Sequence, residues 1–149
     1  MGKIKTLIAT LTLSAAILAY APAIPATEYS PSIAGLGPVV NSTVIDGTPI
    51  RVHKLNNAMI MEIMDKETGL AKIYGIILIH PVSQDDADAF VADLFGNSDL
   101  SDSESHSAAD DKGHSMTLVT NEFNTFTSVY TLLGESKLVS RITIIPKNI

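Results

Sequence analysis

Only one stretch of this sequence, Ser83 to Gly96, carries the punctuation of a helix at both ends, and that limits the fold to a sheet with one helix laid on it. Ser83 followed three residues later by Asp86 is a capping-box-like start. Asp85, Asp86 and Asp88 sit where a helix N-terminus is positive, and Gly96 stands where a C′ glycine ends a helix. Between them Ala87, Phe90, Val91, Leu94 and Phe95 fall on one apolar stripe, which predicts an amphipathic helix over 83–95. Everything else with a clear period alternates as strands do. The expected fold class is α+β, an antiparallel sheet of about five to seven strands with the helix packed on it. A small OB-like barrel capped by the helix is the alternative.

The strands are read from local signals. Asp46-Gly47 between Ser42–Ile45 and Ile50–His53 is a two-residue hairpin signature. Ala58 to Asp65 and Leu70 to Ile79 read as two strands joined by the turn Lys66-Glu67-Thr68-Gly69, with Pro81 ending the second. Met59, Met61 and Met64 read as core packing, because methionine fills irregular apolar gaps and no cysteine or histidine joins them at ligand spacing. Later in the chain, Met116 to Val119 and Phe126 to Leu133 are expected strands, the latter with Phe126, Tyr130 and Leu132 on one face. A last strand, Lys137 to Ile145, places Leu138, Ile142 and Ile144 on one face against Arg141 and Thr143.

The first residues speak of destination. Lys3 and Lys5 precede an uncharged run from Leu7 to Ala21, and Ala21-Pro22-Ala23 followed by Ile24-Pro25-Ala26 supplies small residues for cleavage. Residues 1–26 are therefore expected to be a signal peptide, and the mature chain a secreted or periplasmic protein with no membrane segment of its own. Residues 27–41, broken by Pro31, Gly35, Gly37 and Pro38, read as a linker or extended arm, and 42–149 as a single domain. Small exported domains often rely on disulfides, but this chain of 149 residues has no cysteine and must be held by packing.

Composition excludes several function classes. Ten basic residues against sixteen acidic give a net charge of −6, which opposes nucleic-acid binding. With no cysteine there is no thiolate metal site, thiol nucleophile or acylation site. No nucleophile elbow, phosphate-cradling loop or paired-histidine zinc motif occurs. Residues 97–115 are rich in serine and acid and read as a surface loop. Asp99, Asp102, His106 and His114 are its candidate ligands for a divalent cation, although a calcium loop of the EF-hand type would want Gly and Glu where Asp102 and Ala108 stand. His80, at a strand mouth before the helix, and Asp46, in the hairpin turn, are candidate ligand-binding residues.

The run Val44 to Val52, then Lys72-Ile73-Tyr74-Gly75-Ile76 and the helix with Ala89-Phe90-Val91 and Leu94, resembles the staphylococcal-nuclease family of exported calcium-dependent nucleases. The resemblance implies an OB barrel with Asp46 at a cation-dependent hydrolytic site. Thr48 and Lys72 depart from that family's Asp and Arg, and no acid follows Ile76 at the family's place. The functional expectation is a small non-catalytic accessory protein that binds a protein partner through a sheet edge and the arm, or through the acidic loop. No cofactor is expected. A cation-binding protein or cation-dependent hydrolase is the alternative.

Overall fold

A computed structural model describes residues 32–96 and 99–147. The expected signal peptide and the first residues of the expected arm lie outside them. A single 3-10 turn, Ala34–Leu36, leads into four strands: β1 (Val39–Ile45), β2 (Thr48–Leu55), β3 (Ala58–Met64) and β4 (Ala71–Val82). Helix α1 (Gln84–Phe95) follows, and then β5 (Leu100–Ala109), β6 (Ser115–Phe123), β7 (Phe126–Leu133) and β8 (Val139–Pro146). The sheet order is β1-β2-β3-β4-β8-β7-β6-β5. Every pair is antiparallel. Two meanders thus meet at β4 and β8, and the helix carries the chain across to the far edge.

Two expectations are corrected here. The sheet has eight strands, not five to seven, and it is open, with β1 and β5 at opposite edges, so it is neither a capped barrel nor the OB barrel implied by the nuclease resemblance. The additional strand is β5, which occupies most of the serine- and acid-rich segment read as a loop and pairs with β6 from Leu100↔Phe123 to Ala109↔Ser115. Serine and aspartate have low intrinsic strand preference, so the backbone ladder to β6 decides the conformation. Serine side chains add to it. Ser101 Oγ donates to the Glu122 carbonyl, and Ser107 Oγ meets Thr117 Oγ1 at 2.8 Å.

The helix forms where its punctuation places it. Ser83 Oγ accepts from the Asp86 N–H at 3.1 Å, and the N–H of Gly96, at φ 84°, closes the last turn onto the Ala92 carbonyl. Ala87 and Val91 are buried, and Phe90, Leu94 and Phe95 pack against the same core. The covered sheet face supplies Ile60, Ile76, Tyr130, Ile142 and Ile144, all essentially inaccessible. Ser128 is buried among them, between Phe126 and Tyr130 on β7. On β8 the inward position falls to Val139; Leu138 lies before the strand and is exposed, because a register shift opposite Thr131 and Leu132 resets the alternation.

The expected arm is partly spent inside the molecule. Leu36 is fully buried beside the helix, and Gly35 lies so close to α1 that a Cβ there would stand 2.8 Å from Leu94 Cδ2. Helix and arm together cover one face of the sheet. No element of the described residues covers the other.

Candidate functional site

Three places combine chemistry with geometry. The first is a polar cluster on the covered face, where β2 and β3 pair Arg51 with Glu62 and His53 with Ile60. Strand alternation directs Arg51, His53 and Glu62 to the same side. Arg51 Nε and Nη2 donate to Glu62 Oε1 and Oε2 at 3.1 and 3.2 Å, a fork that holds the carboxylate in both directions. His53 Nε2 lies 2.5 Å from Glu62 Oε1, and the Ser32 hydroxyl donates to the same oxygen at 2.7 Å. The other ring nitrogen, Nδ1, faces the carbonyls of Gly37 and Pro38 at 3.1 and 3.2 Å. His53 and Glu62 are 0% and 1% exposed.

Serine, histidine and glutamate in contact invite comparison with a nucleophilic triad. The arrangement differs at the atom that matters. A triad sets the acid and the nucleophile on opposite ring nitrogens. Here Ser32 and Glu62 both meet Nε2, Ser32 at 3.4 Å, while Nδ1 is held by backbone carbonyls. Each side chain of the cluster is engaged by another, so its chemistry is that of a clamp. It ties residues 32–38 to the sheet by their hydroxyl and carbonyl groups.

The second place lies between α1 and the β6–β7 side of the sheet, where a groove of about 380 Å³ is lined by Asp88, Asn121, Phe123, Phe126 and Tyr130, among others. The Tyr130 hydroxyl donates to Asp88 Oδ1 at 2.5 Å. Burial and then the Asp88 carboxylate hold the Tyr130 hydroxyl far above its ordinary range. Asn121 is committed on both sides, accepting from Ser103 Oγ and donating to Ser128 Oγ. Phe123 stacks on Phe126 with centroids 4.7 Å apart. A smaller apolar cavity of about 120 Å³ lies under Phe90, between Leu78, Ala87 and Ile142.

The third place is the uncovered face, and its pattern is unusual. Strand pairing sets its side chains in rows across the sheet. One row runs Lys54, Met59, Ile77, Arg141, Thr131 and Leu118, ending on His106. The next runs Val52, Met61, Gly75, Thr143, Val129 and Thr120, ending on Glu104. A third joins Ile50 to Ile63 on one side and Ile145, Thr127 and Glu122 to Asp102 on the other. The β2–β4 half is therefore apolar except for Lys54 at its edge, and the β5–β6 half carries threonine and acid. Ile77, Ile79 and Ile145 are 41%, 48% and 42% exposed. Met59 and Met61, read from sequence as core, stand on this face, and only Met64 is buried inside.

The residues singled out from sequence are distributed as follows. Asp46, at φ 51°, and Gly47, at φ 78°, make the β1–β2 turn, where aspartate and glycine are favoured for conformational reasons. His80 is exposed near the end of β4, with its backbone bonded to Asn57 and its side chain outside the linings of both hollows. Asp99 precedes β5. Asp102 and His106 share the open face of β5, where His106 Nε2 meets Glu104 Oε1 at 3.1 Å. His114 sits in the β5–β6 turn against Asp110 Oδ2 at 2.9 Å. The His114 contacts hold the Asp110 carboxyl below its usual range. Among the described residues no three acids or histidines converge as a metal site would need.

Sequence reasoning missed the Arg51–His53–Glu62 clamp. A signal was present: Glu62 is the one charge within the apolar run Ala58 to Met64, at the same parity as the buried Ile60. Compared with known proteins, the chain matches no family model, no curated protein and no solved structure.

Proposed function

We propose that this is an exported, non-catalytic binding protein that acts through protein–protein contact, with the uncovered sheet face as its binding surface. The observation that carries the reading is the two-sided apolarity of β3 and β4. Strands buried on both faces read as near-continuous hydrophobic runs, whereas strands with one solvated face alternate. Ala58–Met64 is apolar at six of its seven positions, and Ile73, Ile77 and Ile79 point away from the helix while Tyr74, Ile76 and Leu78 point toward it. Contiguous apolar patches beyond a few hundred Å² are rare on soluble monomers and mark interaction sites. The basic leader and uncharged run at residues 3–21 support export. The mutual engagement of Ser32, His53 and Glu62 supports a structural task for the chain's closest approach to a catalytic constellation.

Photocrosslinking tests the reading directly. Benzoylphenylalanine at Ile77, activated in the producing cells, is expected to yield a covalent adduct whose joined peptide is identified by mass spectrometry. The same group at Lys112, in the β5–β6 turn, is expected to yield none. No adduct from Ile77, or equal adducts from both sites, defeats the proposal.

A further inference from the structure

We infer that the occupant of the open face is a second copy of this chain, packed sheet to sheet in a two-fold dimer. The inference rests on reading that face as a binding surface and adds the identity of the partner. Size is the first argument. Eight strands at about 4.8 Å spacing, the shortest of them about 24 Å long at roughly 3.4 Å per residue, present roughly 900 Å² per face. A standard stable interface buries about 800 Å² on each partner.

The arrangement of the rows is the second argument. In a two-fold interface the same patch meets itself. An axis parallel to the strands near the sheet centre would lay the apolar β2–β4 half on the partner's acidic β5–β6 half and strip water from Asp102 and Glu104, which is costly for unpaired carboxylates. An axis along the middle row, through Met61, Gly75 and Thr143, exchanges the two outer rows instead. Ile77 then faces the partner's Ile73, Met59 faces its Ile63, and apolar half covers apolar half. At the acidic margin the same operation sets His106 over the partner's Asp102, and Glu104, on the row of the axis, beside the partner's Glu104, each of these carboxylates being met by the His106 of its own chain.

Two other occupants fit less well. Ser32, the first described residue, is tied through its hydroxyl to Glu62 on the helix-covered side, so a segment preceding it would have to come round from the opposite face. An anionic membrane surface is opposed by a net charge of −6 and by the acids on β5 and β6.

The test uses the protein purified from its producing cells. Sedimentation equilibrium is expected to give twice the chain mass at tens of micromolar. Ile77→Glu, which places two carboxylates in the centre of the interface, is expected to weaken association by at least about 100-fold. Gly75→Cys supplies a second measurement that does not depend on that variant folding. A Cβ there meets only Met61 Cε, at 3.6 Å, and the chain contains no other cysteine. A short bismaleimide is expected to join two Gly75→Cys chains and to leave Lys112→Cys chains single. A monomer at these concentrations with no Gly75→Cys crosslink overturns the inference, as does a dimer that folded Ile77→Glu leaves intact. If the purified protein is monomeric while Ile77 still crosslinks to a different polypeptide in cells, self-association falls and the binding surface stands.

Discussion

The two faces of β3 and β4 have nearly the same hydrophobic composition and opposite surroundings. On one side Ile60, Ile76 and Leu78 lie under α1 and Leu36, and the polar groups at the margin are tied into the Arg51–His53–Glu62 clamp. On the other, Met59, Met61, Ile77 and Ile79 meet no further element of the described chain. Apolar residues alone therefore do not define a core. What makes the covered face a core is that each polar group reaching it is satisfied, by a bidentate arginine, by carbonyls of the arm, or by a serine. The open face lacks such provisions, and apart from Arg141 its charges stand toward its margins, Lys54 on β2 and the acids on β5 and β6.

The largest expected effect comes from breaking the provision on the covered side. Glu62→Gln keeps the side-chain shape but leaves Arg51 and His53 without the carboxylate they converge on. Removing one partner of a buried ion pair costs about 3–5 kcal/mol. Urea unfolding is expected to show a loss of that order, together with faster hydrogen exchange at the Leu36 and Gly37 amides, which bond to Ile33 and Ala34 carbonyls within the clamped arm. An effect below about 1 kcal/mol would show that the clamp does not hold the covered face.

A neighbouring pair of residues measures the two faces against each other. Ile76 is fully buried and Ile77, next to it on β4, is 41% exposed. Ile76→Ala is expected to cost about 2–5 kcal/mol, through lost transfer energy and the cavity left behind. Ile77→Ala is expected to cost about 1 kcal/mol or less when measured at submicromolar concentration, where an associated form dissociates. Its cost is expected to grow as concentration rises, because a surface covered only on association contributes stability by mass action. Equal, concentration-independent costs at the two positions would sink the contrast between the faces.

How much of this was legible in the sequence follows from the kind of interaction involved. Ser83, Gly96 and the stripe from Ala87 to Phe95 encode their helix locally, and Asp46-Gly47 encodes its turn locally, so both were readable. Strand β5 was not, because nothing within Leu100–Ala109 prefers a strand and the ladder that makes it one is supplied by β6, six or more residues downstream. The clamp was not, because it joins Ser32, Arg51, His53 and Glu62 across three separate segments. Only the interruption of an apolar run by Glu62 betrays it. Met59 and Met61 were misplaced for a related reason. Where both parities of a strand are apolar, alternation no longer tells inside from outside, and only the path of the covering elements does.

The smallest expected effect lies where the covered face gives way to the groove. Tyr130 is held among apolar neighbours with its hydroxyl on Asp88, and both burial and the carboxylate favour the neutral phenol. Its titration in the fold therefore lies above that of an unfolded tyrosine, near 10. The folded state keeps the proton longer than the unfolded state does, so this stabilisation is fully present below about pH 10 and is lost as pH rises beyond it. Tyr74, raised first by burial and then by Glu62, adds to the same alkaline limb. Tyr130→Phe removes one hydrogen bond to an exposed carboxylate and is expected to cost about 0.5–1.5 kcal/mol at neutral pH. It should also flatten, without abolishing, the fall in stability above pH 10. Denaturant melts of both proteins at pH 7 and pH 11 measure the two terms together. An unchanged alkaline limb in Tyr130→Phe would mean that the hydroxyl is solvated, and that the groove reaches deeper beneath α1 than the Tyr130–Asp88 contact allows.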